Sequence, residues 1–157
     1  MAERRARLLL HARYGSGDVG FLQEIGPYYM EEGVNYSKGD NLTFNPYSWH
    51  NASNLLFFES PAGVGFSYNR QADYHHNDVN TCEDSFNALQ DFFKKYPEYL
   101  TNPFWIAGES YAGKYIPDLA VRIDRFNIDA GAGTINFKGI LVGNGIMTFE
   151  ERELENS

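Results

Sequence analysis

A single cysteine, Cys82, is the only thiol in this 157-residue chain, and one thiol cannot close an intramolecular disulfide. Basic residues are also scarce. Thirteen Lys and Arg stand against 21 Asp and Glu, for a net charge of −8. That balance argues against a nucleic-acid partner, which needs a basic patch. No apolar run approaches the ~20 residues that span a bilayer, so no membrane partner is expected. The apolar triplet Leu8–Leu10, set behind a basic start, is too short for a signal-peptide core. No secretory leader is therefore visible in the chain as written. His, Cys and carboxylate residues nowhere fall at metal-ligand spacing, so neither a metal nor a cofactor is implied.

Aromatic residues, in contrast, are plentiful. Twelve Phe, 11 Tyr and 2 Trp make up 16% of the chain, enough to fill a core or line a groove. The length suits one domain. Three N-glycosylation sequons, at Asn35, Asn41 and Asn51, lie close together in a loop-like stretch. They favour a secreted or vacuolar protein, in tension with the missing leader.

Residues 11–20 read as loop, and residues 26–53 as short strands and turns without helical period. The run Asn54–Phe58 is continuously apolar, as in a strand buried on both faces of a parallel sheet. Residues 78–96 give the clearest helix. Val79, Cys82, Phe86, Leu89, Phe93 and Tyr96 recur at steps of three and four. Acidic residues open that helix, Lys94 and Lys95 close it, and Pro97 stops it. Cys82 belongs to the apolar stripe and reads as a core residue. Phe104–Ala107 is a second buried strand. A helix follows it, with Tyr115, Ile116, Leu119, Ala120 and Ile123 on its apolar face and Pro117 expected to kink or restart it. Residues 127–134 read as a loop and Gly139–Gly143 as a third buried strand. Strand, helix, strand, helix, strand makes two βαβ units. The expected fold is α/β: a mainly parallel sheet with helices on both faces.

Between the second strand and its helix lies Gly108-Glu109-Ser110-Tyr111-Ala112-Gly113. This is the setting of a nucleophile elbow, where a serine in a tight, strained turn lifts its hydroxyl above the sheet. Small residues are needed because strand and helix pass closely, and Gly108, Ala112 and Gly113 supply them. The N–H of Tyr111 falls at a helix N-terminus, where it can donate to a developing oxyanion. Glu109 either solvates the turn or stands at the mouth of the site.

These residues, GESYAGKYIP at 108–117, resemble the active-serine segment of serine carboxypeptidases of the carboxypeptidase Y and cathepsin A family. NLLFFESPAGVGFSY at 54–68, NPYSW at 45–49, GFLQEIGP at 20–27 and FKGILVGNG at 137–145 resemble other segments of that family, in the family's order. The resemblance implies a partial α/β-hydrolase domain over residues 20–147, flanked by a divergent segment 1–19 and a polar tail 148–157. It implies release of a C-terminal amino acid from peptides or proteins through an acyl-enzyme, in a secreted or vacuolar/lysosomal setting. By the resemblance Ser110 is the nucleophile and Tyr111 an oxyanion donor. Glu109 recognises the substrate's C-terminal carboxylate, and Glu24 is a second family glutamate near the site. Two carboxylates meeting a third imply activity favoured by acid.

The chain also departs from the family pattern. The family's W-L-N-G-G-P-G-C-S-S segment, which carries a carboxylate-binding Asn and an oxyanion glycine, is replaced by HARYGSGDV. The order Ser, Asp, His expected of the triad is not completed, because His11, His50, His75 and His76 all precede Ser110. The expectation is a carboxypeptidase domain lacking its C-terminal part and catalytically incomplete as given. Two alternatives stand beside it. One is a related acyltransferase, although that branch tends to carry Asp where Glu109 stands. The other is an inactive remnant that binds peptide C-termini.

Overall fold

The computed structural model describes residues 7–12, 20–31, 42–131 and 134–147. The first described element is β1, Leu8–Ala12, which runs through the middle of a four-stranded sheet. The strand order is β4 (Asn54–Phe57), β1, β5 (Phe104–Glu109), β6 (Phe137–Gly143), and every pair is parallel. Leu8 pairs with Asn54 on one side and Phe104 on the other. The expectation of a loop from residue 11 is corrected at its start, since His11 and Ala12 belong to β1. Two shorter strands, β2 (Tyr28–Tyr29) and β3 (Thr43–Phe44), form an antiparallel pair outside the main sheet.

Helix α1 spans Asp78–Lys95 and helix α2 spans Ala112–Asp129. Both pack on the same face of the sheet, not one on each. Their buried side chains join Leu8, Leu10, Phe104 and Ile106 in a single core. The topology dictates this. β4 to β5 and β5 to β6 step along the sheet in the same direction, so right-handed crossovers place both helices on one side. The step from β1 to β4 runs the other way, and its connection lies against the opposite face. There Leu9, Trp105 and Leu141 line a cavity together with residues of the 46–53 segment, and the ring of Phe21 packs edge-on against Phe57 at 5.5 Å.

Local chemistry explains the helix ends. Asn77 caps α1, its side chain accepting from the Asn80 N–H at 2.9 Å while the Asn80 side chain accepts from the Asn77 N–H at 2.8 Å. Within α1, Cys82, Phe86, Leu89 and Phe93 are buried as the periodicity predicts, with Thr81 alongside them. Val79 is 67% exposed and Tyr96 lies at the exposed C-terminal end, so the inward stripe is shorter than its sequence pattern. Leu89, Ile116 and Ile123 are fully buried, each contributing about 1.5–3 kcal/mol relative to an exposed side chain. Pro117 neither ends nor restarts α2. The helical bond to the Gly113 carbonyl cannot form there, but the buried face formed by Tyr115, Ile116, Leu119 and Ile123 carries the helix through. The helix also extends into the stretch read as loop, ending at Asp129.

The outer strands are less buried than their apolar composition suggests. β6 leaves Ile140 37% and Leu141 45% exposed, and all four residues of β4 are half-buried. β1 and β5 hold the interior positions of the sheet, and β4 and β6 its two edges.

Candidate active site

The site forms where β5 hands over to α2. Gly108 ends the buried part of the strand, and Glu109 and Ser110 emerge exposed at its C-terminal end. Ser110 has φ of 59°, a left-handed conformation that a non-glycine residue adopts at a cost of ~1–3 kcal/mol. Three backbone bonds hold it there. The Ser110 N–H donates to the Gly143 carbonyl at 3.1 Å. The Ser110 carbonyl accepts from the Gly113 N–H at 3.1 Å and from the Ile146 N–H at 2.9 Å. The end of β6 and the segment after it therefore clamp the turn from one side, and the first turn of α2 from the other.

Gly113 is what permits this clamp. A Cβ at Gly113 would lie 2.7 Å from the Ile146 carbonyl oxygen and 2.8 Å from its nitrogen. Ala112 is fully buried beneath the turn. The small-residue pattern around Ser110 thus has a specific steric cause. Tyr111 stands at the start of α2, where helix N–H groups and the helix dipole favour negative charge. Its phenol donates to Asp78 Oδ1 at 3.0 Å, across to the first residue of α1.

Glu109 shares a face of the sheet with Trp105 and Ala107, since side chains alternate along β5. This is the face opposite the helices. There it lines a cleft of about 440 Å³ together with Glu24, Ile25, Trp49, Leu141 and Asn144. The two glutamates predicted as a pair thus meet in one cleft, brought together from residues far apart in the chain. Glu24 ends a π-helical turn, Gly20–Glu24. The stretch that follows is fastened by the 45–49 segment. The buried Asn45 side-chain amide donates to the Glu24 carbonyl at 3.2 Å and the Gly26 carbonyl at 3.0 Å. The Ser48 hydroxyl donates to the Ile25 carbonyl at 2.6 Å, and the Trp49 N–H donates to the same carbonyl at 3.0 Å.

Sequence reasoning assigned no role to Asn45 and Ser48. Their signal was the NPYSW segment itself, polar residues in a stretch otherwise rich in aromatics. Asp78 is one of the acidic residues that open α1, and its bond to Tyr111 joins positions that no local pattern connects. Asn144, with φ of 46°, is a strained residue on the cleft wall, next to Ser110's hydrogen-bond partner Gly143.

The remaining predicted positions lie elsewhere. Asn51 is exposed in a 3₁₀ turn, and its side-chain amide donates to the Pro46 carbonyl at 3.0 Å. Asn35, Asn41, residues 13–19 of the altered segment and the tail 148–157 lie outside the described residues. His76 Nε2 lies 2.7 Å from the Ala62 carbonyl oxygen, and His50 lines a separate cavity beside β4. Among the described residues no histidine hydrogen-bonds the Ser110 hydroxyl, and no group of His, Cys, Asp or Glu could hold a metal ion. Cys82 is buried in the core, and burial pushes its thiol above the ordinary value of 9.0, opposed in part by the nearby Arg122.

A strained serine at the C-terminal end of a parallel strand, opening directly into a helix, is the geometry of a nucleophile elbow and places the fold in the α/β-hydrolase class. The comparisons with known proteins then narrow the class. The serine carboxypeptidase family model matches residues 15–155, and the chain belongs to that family. It is 46% identical over 129 residues to serine carboxypeptidase 1 of Hordeum vulgare, covering 81% of this chain and 26% of the relative. It is 41% identical over 134 residues to the lysosomal protective protein of Mus musculus, covering 85% and 26% respectively. Among solved structures, the prohormone-processing carboxypeptidase Kex1(Δ)p of Saccharomyces cerevisiae aligns with a TM-score of 0.75 at 31% identity, covering 92% of this chain and 31% of that one. The chain thus spans between a quarter and a third of the length of these relatives.

Proposed function

We propose that this chain carries the nucleophile and carboxylate-recognition part of a serine-type carboxypeptidase site. In this reading the Ser110 hydroxyl attacks the carbonyl carbon of the last peptide bond. Its proton passes to a base, the C–N bond breaks, and the C-terminal amino acid leaves with a proton on its nitrogen. Water then attacks the acyl ester on Ser110 and regenerates the hydroxyl. The Tyr111 N–H donates to the oxyanion of each tetrahedral intermediate. Glu109 and Glu24 face the substrate's free carboxylate, and peptide and protein C-termini are the partners.

The observation that carries this reading is the left-handed Ser110 at the strand–helix junction. Such strain persists only where the surrounding structure enforces it. The shared cleft of Glu109 and Glu24 beside that serine supports the recognition role. The exposed Asn51 of one sequon and the lysosomal name of the mouse relative support a secretory, vacuolar or lysosomal setting.

The base must come from outside the contacts described above, so the test addresses the chain directly. The purified 157-residue chain is treated with a fluorophosphonate and read by mass spectrometry, with Ser110→Ala alongside. Adduct on Ser110, lost in the variant, supports an assembled and activated elbow. No adduct on a chain shown to be folded means that this chain alone does not act as an enzyme. The carboxypeptidase resemblance would then describe its ancestry.

A further inference from the structure

We infer that Asp78 is a positioning residue for the elbow: its carboxylate accepts the Tyr111 phenol and so fixes the residue that follows Ser110. The inference deepens the proposed function and rests on its reading of Ser110 and Tyr111. The backbone bonds at Ser110 fix the turn from β6 and from within α2. None of them restrains it from the side of α1. The Tyr111–Asp78 hydrogen bond does, at 3.0 Å and in a partly buried setting.

The geometry gives that bond leverage. Tyr111 is the N-cap of α2, and its carbonyl accepts from the Lys114 N–H at 2.9 Å. Its ring lies 6.0 Å from that of Tyr115, one turn along the same helix. A movement of the phenol therefore carries the first turn of α2 with it. Asp78 is in turn held in place by the Asn77–Asn80 capping box, which fixes the start of α1. A rigid anchor on one helix thus orients the first residue of the other. Hydrogen bonds to a charged acceptor are among the stronger ones, which suits the carboxylate to this task.

Asp78 also sits in the first turn of α1, where negative charge favours the helix dipole. Three variants separate the two roles: Asp78→Ala, Asp78→Asn and Tyr111→Phe. The readout is site-resolved amide hydrogen exchange at Gly113 and Lys114, whose N–H groups close the turn onto Ser110 and Tyr111. Positioning predicts exchange there about tenfold faster or more in both Asp78→Ala and Tyr111→Phe. It predicts no further increase in the double variant. Asp78→Asn, which keeps an oxygen acceptor but loses the charge, restores most of the protection. If Tyr111→Phe leaves these amides unchanged, or if Asp78→Ala loosens the start of α1 alone, the inference is overturned. The exchange comparison needs no turnover. A chain that fails to label at Ser110 would count against the proposed activity while the role of Asp78 is still decided.

Discussion

Replacing Gly113 by alanine tests the link between steric fit and the strained serine. In isolation the change favours a helix by about 0.8–1.0 kcal/mol. The structure predicts the opposite sign. The new Cβ would meet the Ile146 oxygen at 2.7 Å, the Ile146 nitrogen at 2.8 Å and the Gly145 carbonyl carbon at 2.9 Å. All three are backbone atoms and cannot swing aside as a side-chain tip can. Residues 145–146 must retreat until ordinary contact at 3.4–4 Å is restored. That retreat stretches the Ile146 N–H bond to the Ser110 carbonyl, now 2.9 Å. Overpacking costs ~1–3 kcal/mol, and the weakened bond adds ~0.5–1.5 kcal/mol. Against the helix gain, Gly113→Ala should lose about 1–3 kcal/mol, or about 1 M in urea midpoint. Exchange at the Ile146 amide should accelerate with it. Gly131→Ala is the control. Nothing lies within 4 Å of its would-be Cβ, and its cost comes from φ of +71° alone. It should destabilise the chain while leaving the Ile146 amide protected. A Gly113→Ala variant as stable as the parent, with Ile146 unchanged, would refute the steric account of the elbow.

Two further predictions follow from the supporting shell. Asn45→Ala strips the Glu24 and Gly26 carbonyls of a buried donor and should cost about 1–3 kcal/mol, read by urea unfolding. It should also increase proteolytic cleavage near residues 24–26, which an intact turn would resist in parent and variant alike if Asn45 were dispensable. Burial raises the Cys82 thiol above 9.0 in the folded chain, with Arg122 opposing. The native state therefore holds its proton longer than the unfolded state. The stabilising contribution is fully present below the unfolded thiol's pKa and is lost as pH rises through the folded one. Stability should fall more steeply above about pH 9 in the parent than in Cys82→Ala, and equal slopes would show that the thiol does not titrate differently in the two states.

Much of this architecture could be read from the residues. α1 was predicted over 78–96 and ends at Lys95, because its 3.6-residue period, acidic start and Pro97 all agree. The elbow was legible because small residues at 108, 112 and 113 surround a serine at a strand-to-helix change. β1 was missed because Leu8–Leu10 is only three apolar residues long, too short for any period to show. Its strand character comes from partners far along the chain. The placement of both helices on one face was equally hidden, since it follows from the strand order and not from either helix's pattern. Glu24 and Glu109 were paired through family resemblance. Their common cleft depends on which face of β5 points toward the β1–β4 connection, a consequence of register. The Asp78–Tyr111 bond joins two helices whose starts carry no shared local signal.

The position of β1 also sets an order for assembly. Leu8, Leu9 and Leu10 leave the ribosome before either neighbouring strand exists. On one side they wait for Asn54–Leu56, and on the other for Phe104–Ile106. Until Asn54–Leu56 arrive β1 has no strand partner, and until β5 follows its second edge stays unpaired. Such distant pairing slows folding and prolongs exposure. A nascent chain would therefore keep one edge of its central strand open until β5, the strand that delivers the serine, comes into place.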